Sequence, residues 1–135
     1  MPYNVDINWM LNDFVARIPQ IEKAVVLTRD GLATGASGVL VQDDAERLAA
    51  IAAGFHSLAC GAAAYLTVGD VRQIIVEMAG TFLFVTAAGG NGCVAVVAKD
   101  TVDLGLIAYE TALFVKRVSA HLPPPRQMAL GGGTA

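Results

Sequence analysis

Charge is scarce in this 135-residue chain and nowhere gathers with one sign: 9 Lys and Arg stand scattered against 12 Asp and Glu, for a net charge of -3. Without a basic face to track a phosphate backbone, nucleic acid is excluded as a partner. Cysteine is nearly absent too. Cys60 and Cys93 lie inside apolar runs, outside any CxxC or Cys/His ligand pattern, so they read as reduced core residues and neither a metal nor a cofactor is expected. The opening Met-Pro-Tyr-Asn-Val-Asp lacks the positive flank and apolar stretch of a secretory signal, which places the expected location in the cytoplasm. One uncharged apolar run, Leu48 to Val68, reaches the roughly 20-residue length of a bilayer span. Its Ala and Gly content, His56 and Ser57 at its middle, and the acidic lead-in Asp43, Asp44 and Glu46 favour a helix on a soluble domain, with no direct membrane span.

What the chain has is apolar material, 55% of all residues, enough for one well-filled domain. A helix is expected from Asn8 to Arg17, capped by Asn8, with Met10, Phe14 and Ile18 on one face and Pro19 ending it. Ala24–Thr28 and Leu32–Ala36 form a hairpin around Arg29-Asp30-Gly31. A long Ala-rich helix runs from Asp43 to Tyr65, with Asp43 and Glu46 as its capping pair. Strands Val71–Met78, Thr81–Ala87 and Cys93–Ala98 follow, and Asp103 caps a last helix to Leu122. The order is α-β-β-α-β-β-β-α, an α/β (α+β) class fold. Thr81–Ala87 and Cys93–Ala98 are apolar on both faces, so the sheet is the middle of three layers, and the strands at 32–36 and 71–78 are its edges. Residues 1–7 form an arm, 8–122 the domain, and 123–135 a Pro- and Gly-rich flexible tail.

Placed at 100° per residue, the long helix carries Leu48, Ile51, Phe55, Leu58, Ala62 and Tyr65 on one stripe, which is expected to lie on the sheet. The other side is small and uncharged where a surface helix should carry charge. Gly54 and Gly61 each cost about 1 kcal/mol in a helix, a cost that close approach of another backbone offsets. The expected interface therefore comprises Ala49, Ala50, Ala53, Gly54, His56, Ser57, Cys60, Gly61 and Ala64, packed on a second copy across a two-fold axis. Arg72, Gln73, Ile75 and Glu77 join it if the edge strand pairs with its counterpart.

Catalytic residues are not found. Gly89-Gly90-Asn91-Gly92 leads into a strand with no Gly-Lys-Ser/Thr, so it is a hairpin turn rather than a phosphate loop. His56 and Cys60 share a helical turn, the spacing of a nucleophile pair or half a metal site, but a third ligand is missing and packing is the preferred reading. Glu77 and Glu110 act as an acid/base pair only if the fold joins them. Trp9, Tyr65 and Tyr109 read as core aromatics rather than a ligand pocket.

Several stretches in order resemble one family: Asn8-Trp9-Met10-Leu11, Asp13-Phe14-Val15-Ala16-Arg17-Ile18-Pro19, Val25-Val26-Leu27-Thr28-Arg29-Asp30-Gly31-Leu32, Val71-Arg72-Gln73, Glu77-Met78, Phe82-Leu83-Phe84-Val85 and Asp103-Leu104-Gly105-Leu106-Ile107-Ala108-Tyr109-Glu110. Together they resemble the Roadblock/LC7 domain, in particular its short actinobacterial, conservon-type members associated with small Ras-like GTPases. The resemblance implies a five-stranded antiparallel sheet of strand order 2-1-5-4-3, with the long helix on one face and the terminal helices on the other. It also implies homodimers built through the long helix and third strand, a non-catalytic scaffold that binds a small Ras-like GTPase, and modulation of GTP hydrolysis in some members. A larger sensor-kinase complex is a further implied partner, with any membrane recruitment running through partners. The alternative is a small-molecule-sensing domain with a pocket between sheet and helix. A third reading is an enzyme centred on His56 and Cys60.

Overall fold

A computed structural model describes residues 4–38 and 40–122, so the arm's first three residues and the tail at 123–135 lie outside the described residues. The elements are α1 (Val5–Arg17), β1 (Ile21–Thr28), β2 (Ala33–Ala36), α2 (Gln42–Leu66), β3 (Gln73–Met78), β4 (Thr81–Ala87), β5 (Gly92–Lys99) and α3 (Leu104–Ser119). The five strands form one antiparallel sheet in the order β2-β1-β5-β4-β3, as expected.

Alternation along the central strands builds two separate cores. Val25, Leu27, Leu83, Val85, Cys93 and Ala95 point to α2, while Ala24, Val26, Phe84, Val94, Val96 and Ala98 point to α1 and α3. On the second side Phe14 and Phe114 lock the two helices together, with ring centroids 4.9 Å apart at a 35° tilt. The Arg29-Asp30-Gly31 turn is present, and Gly31 supplies the positive φ of 92° that closes it.

α1 begins three residues before its expected start. Asn4 is the cap, accepting from the backbone N–H groups of Asp6 and Ile7, and Ile7 joins the core at 1% exposed. Asn8 is thereby free to reach the sheet. Its Oδ1 accepts the Ala36 N–H at 2.9 Å, and Asn12 Oδ1 one turn later accepts that of Gly38 at 2.7 Å. Asn4 N–H itself donates to the Thr34 carbonyl at 2.9 Å, so α1 is stitched along the outer rim of β2. Gly35 makes this approach possible, because any Cβ there would collide with the Ile7 side chain.

α2 also starts differently from the Asp43–Glu46 capping pair. The helix opens at Gln42 after Val41, which offers no side-chain bond, and the pair that forms is Gln42 Nε2 donating to Glu46 Oε2 at 3.0 Å. Asp43 and Asp44 still occupy the first turn, where the helix dipole favours them. Asp103 caps α3 as expected, accepting from Leu106 N–H, and that helix ends at Ser119 rather than Leu122.

Candidate interaction surface

α2 lies on the sheet with the small stripe that flanks its large apolar residues rather than with those residues themselves. Ala45, Ala49 and Ala52 are fully buried and His56 is 4% exposed, whereas Ile51 is 47%, Leu58 75% and Tyr65 86% exposed. Leu48 and Phe55 pack at the flank, partly buried. The physical reason is on the sheet: Val25, Leu27, Leu83 and Val85 already fill the space beneath the helix, and only small residues opposite them reach interior packing density. Ile51, Leu58 and Tyr65 are therefore left outside.

This relocates the outward pole of α2 to a stripe of Arg47, Ile51, Gly54, Leu58, Gly61 and Tyr65, by the 100° step from the buried stripe. Of the residues expected at an interface, Ala50, Gly54, Ser57, Gly61 and Ala64 are exposed, Ala53 and Cys60 are half-buried, and Ala49 and His56 face the sheet. Among the described residues, nothing beyond the helix's own backbone comes within 4 Å of a Cβ placed on Gly54 or Gly61. No contact among them asks for glycine at either position.

The edge strand stands beside this stripe in the topology. Gln73 and Glu77 are exposed and Ile75 is 52% exposed, while Ile74 and Val76 pack inward toward α2. Arg72 precedes the strand, its carbonyl accepting from Ala87 N–H at 3.1 Å. Among the described residues β3 pairs only with β4, which leaves its other edge open.

By length and composition α2 could cross a membrane. Its inner stripe, sealed against the sheet, makes it instead a helix of the domain.

His56 and Cys60 come together, with Sγ 3.7 Å from a ring nitrogen, whereas Glu77 and Glu110 do not meet. Glu110 sits 4.0 Å from Arg17, and Glu77 is exposed on the edge strand. Arg17 and Arg117 both reach Asp13, at 3.2 and 3.3 Å, and hold its carboxyl below the usual carboxylate range. Trp9 and Tyr109 are exposed at 65% and 62%, contrary to the core reading, and the Arg117 guanidinium lies 6.0 Å from the Trp9 ring centre. Depressions of about 320 and 400 Å³ occur along α1 and α3, and one of about 260 Å³ flanks α2 beside Lys23, Leu48 and Val97.

His56 has a consequence for stability. Its burial, with Arg29 as the lesser cause, lowers its pKa below the ordinary 6.5. The unfolded chain takes up a proton that the folded chain resists, so the protein is most stable above that ordinary value and loses stability as the pH falls through it. Urea midpoints are expected to drop between about pH 7 and pH 5, and His56→Gln to flatten that drop. An unchanged slope in the variant would place the acid sensitivity elsewhere.

The Roadblock/LC7 domain family model matches residues 7–98. The chain belongs to the Roadblock/LC7 family. A crystal structure of a Roadblock/LC7 domain from Streptomyces avermitilis is 39% identical, with a TM-score of 0.81 over 84% of this chain and 95% of that one. MglB from Myxococcus xanthus shares the fold at 17% identity, with a TM-score of 0.77 over 86% of this chain and 94% of its own. Another MglB structure, described as having a tetrameric arrangement, is 14% identical with a TM-score of 0.76 over 87% and 90%. No curated protein sequence matches. In this Roadblock/LC7 domain α2 puts alanines within and Ile51, Leu58 and Tyr65 without. A purely hydrophobic reading misses it. The run of Ala45, Ala49, Ala52 and His56 at helical spacing was the available signal.

Proposed function

We propose that this Roadblock/LC7 domain is a non-catalytic, homodimeric, cytoplasmic scaffold that binds a small Ras-like GTPase and modulates its GTP hydrolysis. The observation that carries the reading is the outward apolar stripe of α2, with Ile51, Leu58 and Tyr65 exposed around Gly54 and Gly61. A stripe of this kind on a soluble domain calls for a partner, and a second copy supplies the self-complementary surface of a two-fold contact. The tetrameric arrangement of an MglB relative supports self-association as a habit of the fold.

In this dimer Ala50, Gly54, Ser57, Gly61 and Ala64 let the two helices approach, while Ile51, Leu58 and Tyr65 fill the spaces beside them. Gln73, Ile75 and Glu77 of the open strand edge, with Arg72 before them, extend the contact by strand pairing. The dimer then offers the GTPase a surface that a single copy lacks. Modulation of hydrolysis proceeds through the arrangement of the GTPase's own residues, with no nucleophile or base supplied by the scaffold.

The test is to mix the purified chain with a small Ras-like GTPase of the same organism, loaded with GDP or with a GTP analogue. Complex formation is followed by size-exclusion chromatography and phosphate release by single turnover. A complex in at least one nucleotide state is expected, and absence of binding in both overturns the GTPase reading while leaving the dimer standing.

A further inference from the structure

Past His56, α2 overhangs the sheet, and a cleft of about 220 Å³ opens under it. Arg29 from the β1–β2 turn, His56 and Cys60 from α2, and Asp70 from the segment before β3 all line this cleft. It is on the underside of the helix: Cys60 follows His56 by one turn on the sheet-facing stripe, away from the Leu58 and Tyr65 pole. The dimer contact proposed above therefore does not need these residues.

The cleft holds a polar group with too few partners. His56 is 4% exposed, and its two ring nitrogens find only Cys60 Sγ, at 3.7 and 3.8 Å. One thiol satisfies one of them, which leaves the other without a partner among the described residues. A buried imidazole so placed costs stability unless something entering the cleft uses it. Cys60 Sγ is within reach of either nitrogen, so the one it meets can take the thiol proton.

We infer that the Arg29–His56–Cys60–Asp70 cleft is a thiol-exchange site for small zwitterionic disulfides, in which Cys60 becomes the modified residue. Arg29 receives the reagent's carboxylate and Asp70 its ammonium group, a pairing of charges that matches an amino-acid disulfide. In the exchange, His56 takes the proton from Cys60 only in passing, since its burial disfavours the charged ring. The Cys60 sulfur attacks one sulfur of the reagent, forming the mixed disulfide as the reagent's S–S bond breaks. The departing thiolate then recovers the proton from His56. One disulfide is consumed, one is formed, and no further oxidant is required. Cys93, the other thiol, is fully buried on β5 and its pKa is pushed up to about 11 by that burial, so it stays a protonated bystander.

The experiment incubates the full chain with cystine, and in parallel with cystamine, the corresponding disulfide without carboxylates, and follows the adduct by intact-mass spectrometry. One half-cystine is expected on the native chain and on Cys93→Ser, and none on Cys60→Ser. Arg29→Gln, an exposed substitution, should slow the cystine reaction roughly tenfold while leaving the cystamine rate nearly unchanged, the effect of one lost charged hydrogen bond. His56→Gln should slow both reagents alike, since it removes the proton acceptor rather than the carboxylate site. Modification on Cys93 in place of Cys60, or equal effects of Arg29→Gln on the two reagents, would overturn the inference. So would wild-type rates in both variants.

Discussion

Replacing Leu58 by Glu is expected to split the proposed dimer into monomers at micromolar concentration. Leu58 is 75% exposed in the single chain, so the substitution leaves the fold within about 0.5 kcal/mol of its original stability. At the centre of a two-fold contact it acts twice, once from each copy, removing an apolar anchor and burying an unpaired carboxylate. Central anchors of this kind are worth about 2 kcal/mol or more, which corresponds to a dissociation constant weakened roughly 30-fold at the least. Sedimentation velocity over a concentration series reads the result directly. A dimer of unchanged affinity would mean that another face makes the contact. The choice of Leu58 matters: Ala53 is half-buried, 3.5 Å from where a Gly31 Cβ would sit, and a Glu there would mix the cost of folding with the cost of assembly.

Phe114→Ala is expected to be the most damaging change to the fold itself, at about 3–5 kcal/mol. Phe114 is 2% exposed, stacks on Phe14, and joins α3 to α1 over the sheet. Truncation leaves a cavity that a three-layer core cannot close, because Phe14, Ile107 and Val118 are each held from several sides. Urea unfolding should be measured on a Leu58→Glu background, where the coupling between dimerisation and folding is removed. A loss below about 1 kcal/mol would show that the α1–α3 layer is not the keystone of this side.

The fold was legible in the sequence where local chemistry and global packing agree. The Asp30-Gly31 turn, the Asp103 cap and the doubly apolar strands β4 and β5 each have one low-energy reading, and together they order the layers. Asn8 and Asp43 show where that logic stops. Both are good helix caps by type, yet Asn8 turns its oxygen to Ala36 N–H and α2 starts a residue before Asp43, choices decided by a strand and a connection that lie elsewhere in the chain. The candidate surface was half legible. The absence of charge on α2 past Arg47 singled out the helix, but hydrophobicity alone assigned Ile51, Leu58 and Tyr65 to the wrong side. Burial is a match of volumes between two surfaces, and the sheet's bulky Val25, Leu27, Leu83 and Val85 could be weighed against the alanines only once the strands were in register.

The stitching of α1 along β2 bears on how many copies can meet. At one side of the sheet, Asn4, Asn8 and Asn12 occupy the Thr34 carbonyl and the Ala36 and Gly38 N–H groups, so that rim has little left to offer another strand. At the other side β3 is open. Among the described residues the sheet is in effect monovalent: in the proposed dimer one joining event would use the free rim at β3, and the result would be a closed pair with no end from which a fibre could grow.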